Sequence, residues 1–407
     1  MRRWLHRNLW QRLPRDWRQK VFFSLTTALA PRPDPRPARA AEPLYVVGSL
    51  RTASGLGKAA REGLEALSHG GWDVRGIDLS DALMQNAKLI DYRFPEAGLM
   101  DGEGTIILYV SPALTAFAMW RLGRHRVRGK TIIAYWAWEL PDLPSQWRSA
   151  FQFIHEIWAP SRFTAAAFSH HTQIPVRILP YCVPPSQENE TIKRPGSAPQ
   201  SVLIVFDMAS GFVRKNPLAA ITAFRRAFAD NPNWHLIVKT TDARQDHAAY
   251  KMLEDALRGS SNISLDERLL TSAEICSLVA SCDVVLSLHR AEGFGLVLAE
   301  AMRCGKVVVA TNWSGSTDFL NKDNGCPVSY RLVPAIDPQG RYHHPEQVWA
   351  EPEIDDAVRQ LKRLSDVSLR RRLGKQAQQD ADLMFSIERH NTAVANYLGL
   401  PIKSSRA

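Results

Sequence analysis

Two glutamates, Glu292 and Glu300, lie eight positions apart in the run AEGFGLVLAEAMRCGK that begins at Ala291. Gly293, Phe294 and Gly295 separate the first from the apolar helical stretch that carries the second. One carboxylate then sits on a turn closing the apolar strand DVVLSLH, and the other lies one to two turns inside the next helix. Glycines let a backbone approach a ligand closely, and the free amides that open a helix favour anionic oxygens. A carboxylate beside such a turn repels phosphate but accepts well from hydroxyl groups. The pair suits a ligand that carries both, such as a nucleotide sugar. The plainer alternative is a strand-to-helix turn followed by a solvated carboxylate.

These residues need elements to hold them. From Leu44 onward apolar runs alternate with helical ones: LYVVGSL, WDVRGIDLS, GTIILYVSP, KTIIAYWAWELP, EIWAPSRF and VRILP, then SVLIVFDMAS, WHLIVKTT, NISLDE, DVVLSLHR and KVVVAT. Strands alternating with helices imply parallel sheets covered on both faces, an α/β class. The polar, proline-rich stretch VPPSQENETIKRPGSAPQ divides the series in two. The division predicts a basic arm over residues 1–40, a Rossmann-like domain over 41–183 and a linker over 184–200. A second Rossmann-like domain follows over 201–380, then a C-terminal helix and tail over 381–407. In doubly wound sheets ligands bind beyond the C-terminal strand ends.

A chain of 407 residues with 45% hydrophobic and 23% charged residues is long enough for two such cores. The formal charge of +10 is concentrated. Residues 1–40 hold ten Arg or Lys against Asp16 and Asp34, so the arm carries most of it. A body built for nucleic acid would be basic throughout, so no nucleic-acid partner is expected. Five scattered cysteines without a CxxC pair argue against a disulfide framework and a zinc site. The arm interleaves Trp4, Trp10 and Trp17 with arginines, which suits an anionic membrane surface engaged through residues 1–30. A cleaved signal sequence around VFFSLTTALA and a disordered basic tail are the other two readings.

The run EGFGLVLAEAM, with GKVVVATNWSGSTDF after it, resembles the E-x7-E signature of family 4 of the retaining glycosyltransferases. Their fold is GT-B, two doubly wound Rossmann-like domains facing a cleft. The resemblance extends from about Leu44 through YWAWELPDLPSQW, EIWAPSRF, RKNPLAAITAF, SLHRAEGFGLVLAEAM and ATNWSGSTDFL, in the order of a bacterial branch associated with surface polysaccharides.

That resemblance implies roles. Glu292 would contact hydroxyls of the donor sugar and Glu300 the ribose, with the backbone of Gly293, Phe294 and Gly295 against the donor. Lys215 matches a lysine that meets the leaving diphosphate, where a fixed cation stabilises the transition state more than the ground state. An arginine usual about six residues earlier is Ala209 here, so Arg214 or Lys239 is the candidate second cation. Gly55 and Gly57, after Ser54, resemble the family's glycine-rich loop, and Lys58 or Arg61 would supply charge on the acceptor side. Trp138 and Glu139 stand where many members have a histidine, and would face the acceptor or the sugar. Ser314, Gly315 and Ser316 would donate to the diphosphate, with Asp318 capping the next helix. His343 and His344 fall in an expected surface loop. No protein nucleophile, bound cofactor or metal is expected.

The implied reaction moves a hexose, with GDP-mannose favoured among GDP- and UDP-linked donors. The acceptor would be polyprenyl-linked or an oligosaccharide, at the cytoplasmic face of the cell membrane. A nucleotide-sugar epimerase of the same fold, or a degenerate sugar-binding scaffold, are the alternatives.

Overall fold

The computed structural model describes residues 15–36, 39–83, 89–185, 199–241, 246–340 and 342–402. The expectations for residues 1–14, for most of the linker and for the last five residues lie outside them.

Runs such as LYVVG, TIILY and TIIAY become strands buried along their whole length, as a sheet covered on both faces requires. The first sheet comprises β1 (Leu44–Gly48), β2 (Val74–Asp78), β3 (Thr105–Tyr109), β4 (Thr131–Tyr135), β5 (Glu156–Ala159) and β6 (Val176–Ile178). Its order is β2-β1-β3-β4-β5-β6, and every pairing is parallel. Helices α1 (Arg15–Leu29), α2 (Gly55–His69), α3 (Pro112–Leu122) and α4 (Arg162–Ser169) accompany it. Because β1 has β2 on one side and β3 on the other, the strand order reverses at the end of β1. Residues 49–57 leave the sheet there.

The second sheet comprises β7 (Gln200–Asp207), β8 (Trp234–Thr241), β9 (Ile263–Asp266), β10 (Val284–Ser287), β11 (Val307–Thr311) and β12 (Cys326–Val328). The order β12-β11-β10-β7-β8-β9 is again parallel throughout and reverses between β7 and β10. Helices α5 (Pro217–Phe228), α6 (His247–Leu257), α7 (Ser272–Ser281) and α8 (Leu296–Arg303) belong to it. Two Rossmann-like domains thus face a cleft, each with a switch point opening toward it.

Three strands escape the sequence reading. β12 is only three residues long. An antiparallel hairpin, β13 (Tyr330–Ala335) and β14 (His344–Pro352), follows it. Pro334, Pro338, Pro345 and Pro352 read as loop signals, yet the hairpin lies outside both parallel sheets, where missing donors are tolerated. His344 is therefore the first residue of a strand rather than part of a surface loop.

Helices α9 (Ile354–Arg363), α10 (Val367–Met384) and α11 (Ile387–Leu398) close the chain. Gly374 in α10 packs against the backbone at Gly305, behind the second sheet. The chain then crosses to the first domain, where Asn391 Nδ2 donates to Ala66 O of α2 (2.7 Å) and Tyr397 Oη to Ile178 O of β6 (2.9 Å). At the crossing, buried Phe385 meets Phe294 and Phe319 edge-on, at 5.6 and 5.3 Å between ring centroids. The last helix ties the two domains together beside the glycine turn.

Candidate functional site

The second domain's switch point gathers two loops. After β7 the chain makes the short helical turn Phe212–Lys215, ends it at Asn216 in the left-handed region (φ 51°), and enters α5 at Pro217. After β10 it runs through His289, Arg290 and Glu292. The loops are stitched together: Arg290 N donates to Arg214 O (2.7 Å), and Arg290 Nη1 to Val213 O (2.6 Å). The same guanidinium grips Glu351 of β14 through two bonds, at 2.8 and 3.1 Å. Arg290 is thus a brace for the hairpin.

Between these loops Glu292 is 8% exposed. Lys215 Nζ contacts its Oε1, and Arg214 Nη1 lies 3.2 Å from its Oε2. Burial alone would raise the pKa of this carboxyl. Lys215 and Arg214, aided by His289, outweigh burial and hold it at about 2. It is ionised at any working pH. Arg214 is buried and spans the turn, donating to Ala291 O (2.7 Å) and Ser210 O (3.0 Å). Lys215 keeps 20% of its side chain exposed, so it is the member of the pair that a ligand can reach. Lys239, the other candidate second cation, is elsewhere: its buried ammonium donates to the carbonyls of Thr240, Asp266 and Arg268 and serves as a strut.

The backbone around Glu292 is held on all sides. Its amide donates to Ser314 Oγ (2.8 Å), and its carbonyl accepts from Gly315 N (2.8 Å). Ser314 has φ 69°, a strained conformation for a serine, kept in place by these bonds. A Cβ at Gly315 would lie 2.2 Å from Gly293 O, so only glycine lets the two segments come this close. Ser314 and Gly315 thus clamp the Glu292 turn, with their polar groups already occupied by it. Phe294 turns inward against Tyr181, Phe319 and Phe385. Gly295, at φ 95°, caps α8: its carbonyl accepts from Leu298 N (2.9 Å) and Ala299 N (3.1 Å), leaving the amides of Leu296 and Val297 at the helix's open end.

Beneath Glu292 lies a group the sequence reading passed over. His289 is fully buried, with Nδ1 3.1 Å from Ser287 Oγ and Nε2 3.4 Å from Trp313 O. Burial lowers its pKa to about 4, so it is neutral. A lone histidine after an apolar strand gives no signal of this in the sequence.

The first domain contributes across the junction. Gly293 O accepts from Ser161 Oγ (2.6 Å) and Thr164 Oγ1 (3.0 Å), both at the start of α4. Asp318 does not cap a helix of its own, because no helix follows it. Instead its Oδ2 accepts from Arg162 N (2.7 Å) and caps α4 from the opposite domain. Lys58, in the first turn of α2, pairs with Glu300 rather than standing on the acceptor side. Arg61 is buried and donates to Leu50 O (2.9 Å) and Thr52 O (2.7 Å), shaping the glycine-rich loop. In that loop Gly57 N donates to Ser54 Oγ (3.1 Å), while Gly55 has open space around it. Trp138 is buried: Tyr342 stacks on it (5.6 Å), Trp147 meets it edge-on (4.7 Å), and its Nε1 donates to Asp142 O. Tyr342 also lies 5.1 Å from the Arg214 guanidinium. Glu139 is half-buried, and its charge acts on Arg214 and Tyr181. Two groups therefore stand out: Lys215 and Glu292 with Arg214 just beneath and Glu139 acting on it, and Lys58 with Glu300 across the junction. Among the described residues, no group of three or more His, Cys, Asp or Glu is arranged to hold a metal ion.

Residues 188–380 match the family model described as glycosyl transferases group 1. The matched span covers a little under half of the chain and includes Lys215, Glu292 and Glu300. No curated protein matches the chain by sequence. Among solved structures, HepE from Anabaena, crystallised with UDP-glucose, is 16% identical. It superposes with a TM-score of 0.61, covering 88% of this chain and 99% of its own. Sucrose-phosphate synthase from Thermosynechococcus elongatus gives 14% identity, a TM-score of 0.60, and 88% and 98% coverage. TarM from S. aureus, in complex with Fondaparinux, alpha-GlcNAc-glycerol and UDP, gives 14% identity and a TM-score of 0.53. That match covers 72% of this chain but only 55% of TarM, so this chain spans about half of TarM's length. The chain has the GT-B fold. In GT-B terms, Lys215 and Glu292 lie at the switch point of the second domain, and residues 49–57 at that of the first.

The buried ionisable groups make stability depend on pH. The folded pKa of Glu292 lies below the ordinary 4.5, so its contribution is complete above that value and is lost as pH falls toward 2. His289 and His390 are lowered from 6.5 to about 4, so the unfolded chain binds their protons first as pH drops. Denaturant unfolding at stepped pH should therefore show stability rising from pH 4 to about 6.5, by about 3 kcal/mol for each histidine. His289→Asn should flatten that rise, and an unchanged slope would contradict the burial of a neutral imidazole.

Proposed function

We propose that the protein is a retaining glycosyltransferase that transfers a hexose from a nucleotide sugar to a polyprenyl-linked or oligosaccharide acceptor. The observation that carries this reading is the Lys215–Glu292 pair at the second domain's switch point, with the start of α8 beside it and Glu300 further along the helix. A nucleoside diphosphate leaving group gains charge as the glycosidic bond breaks. Lys215 would leave Glu292 to meet that charge, and the α8 amides would add their dipoles. Glu292, freed of the ammonium but still held by Arg214, would accept from sugar hydroxyls. Arg214 acts through Glu292 and is a positioning residue. Glu300 would accept from the ribose hydroxyls. Glu139 would face the reacting sugar or the acceptor. A donor phosphate oxygen can take the acceptor's proton on the face the diphosphate leaves, so no protein nucleophile is assigned.

GDP-mannose heads the donor panel on the surface-polysaccharide resemblance, with UDP-glucose next because HepE was crystallised with it. Purified protein with a panel of radiolabelled nucleotide sugars and a membrane lipid extract should consume one donor. Lys215→Ala should lower turnover by about 10²- to 10³-fold, as for other lost transition-state charge contacts. Donor consumption unaffected by Lys215→Ala would overturn the reading.

The acceptor side is proposed to rest on an anionic membrane. Helix α1 packs on α3 through Phe22 and Phe117, 5.5 Å apart, and leaves Trp17, Leu25 and Leu29 more than half exposed. Trp120 at the end of α3 is 42% exposed, next to exposed Arg121, Arg124 and Arg128. Exposed apolar side chains on these two packed helices, and exposed arginines at and after the end of α3, suit the headgroup boundary of anionic lipid. No helix among the described residues is long and apolar enough to cross a membrane. Co-sedimentation with vesicles containing phosphatidylserine should be strong for wild type and weak for the triple variant Trp17→Ser, Leu25→Ser, Leu29→Ser. Equal partitioning of the two would defeat the membrane assignment.

A further inference from the structure

The junction holds a charge imbalance that the proposed reaction does not use. Lys58 Nζ, from the first domain, is seated on Glu300 Oε1 of the second. The same ammonium lies 3.7 Å from Glu62 Oε1, one turn further along α2. All three side chains are at least 85% buried: Lys58 is 15% exposed, Glu62 11% and Glu300 6%. Two carboxyl groups therefore share one cation in a place that water barely reaches. Glu62 Oε2 is buried with no hydrogen-bond partner, although buried carboxylate oxygens are nearly always satisfied. Burial pushes the Glu62 carboxyl up to about 8, against the pull of Lys58 and with the push of Glu300. Glu62 is thus a seat that Lys58 only half occupies.

A ribose diol seated across both oxygens of Glu300 would have to share Oε1 with the Lys58 ammonium. We propose that Lys58 is a gate at the ribose end of the donor site, its ammonium seated on Glu300 when the site is empty and moved onto Glu62 when a nucleoside diphosphate binds. This rests on the assignment of Glu300 to the ribose. Burial favours the protonated form of Glu62, so the acid gives up its proton to solvent as the ammonium arrives; one ion pair is exchanged for a neighbouring one that completes the pairing of Glu62. The move also unties one of the links between the domains. Other links, among them Ser161 and Thr164 to Gly293 O, Arg162 N to Asp318 and Asp142 N to Gln347, stay in place. Donor binding would therefore loosen the cleft at the ribose end alone.

Calorimetric titration of the full chain tests the gate, with UDP, GDP and inorganic pyrophosphate as probes. Lys58→Met should bind the nucleoside diphosphates about tenfold more tightly, as expected if the empty site is latched about nine-tenths of the time. Glu62→Gln should bind them several-fold more weakly, because the displaced ammonium loses its second seat. Pyrophosphate has no ribose and should bind wild type and both variants alike. Unchanged or weaker nucleotide binding by Lys58→Met, or an equal gain for pyrophosphate, overturns the gate. If Lys58→Met does not fold, unchanged nucleotide binding by Glu62→Gln overturns it instead. Glu300→Gln separates the gate from its premise. Full nucleotide affinity in that variant removes the ribose assignment and the gate with it. Lost affinity there, without a gain in Lys58→Met, removes the gate alone.

Discussion

A carboxylate buried at Glu292 has to be matched by cations, and much of the second domain's switch point is arranged around that need. An unpaired carboxylate in this position would cost several kcal/mol and would take up a proton instead. Arg214 supplies a fixed guanidinium from below, and Lys215 supplies a mobile ammonium from the cleft side. The arrangement is asymmetric in a useful way. Removing Lys215 to a ligand leaves Glu292 still paired, so the lysine can change partners without stranding a charge. Arg214 in turn depends on the turn it spans, and that turn depends on the Ser314–Gly315 clamp and the Arg290 brace.

The same logic recurs at Glu300. There too a buried carboxylate is met by one lysine, and a second partner stands by, in this case the carboxyl of Glu62 for the lysine itself. Both acids of the E-x7-E run are thus occupied by lysines. Under the proposed function, donor binding would be an exchange of partners rather than the filling of a bare pocket. Exchanges of this kind cost little desolvation, since each charge passes from one neighbour to another.

Much of this was legible in the sequence. Parallel strands buried on both faces read as continuous apolar runs, which is why eleven of the twelve sheet strands appear in the quoted segments and only the three-residue β12 does not. The Glu292 turn was legible because glycines on either side of Phe294 mark a close approach, and Arg214 and Lys215 sit together before a Pro-initiated helix. What the sequence could not show are the partnerships across the junction. Lys58 and Glu300 are 242 residues apart, and Arg162 and Asp318 are 156 apart. No local pattern links such pairs, so the sequence offers Lys58 only as acceptor-side charge and Asp318 only as a local cap. Trp138 shows a related limit. An aromatic at a strand end is the same in sequence whether it faces a sugar or, as here, is enclosed by Tyr342 from a hairpin that prolines disguise. His289 was missed because burial, not spacing, gives it its character.

A crystal structure with an intact nucleotide sugar bound tests most directly whether the Lys215–Glu292 pair is the centre of a donor site. The account predicts the diphosphate against Lys215 and the opening amides of α8, the sugar hydroxyls on Glu292, and Glu292 still 3 to 3.5 Å from Arg214. A nucleotide bound elsewhere, with Lys215 still seated on Glu292, would contradict it.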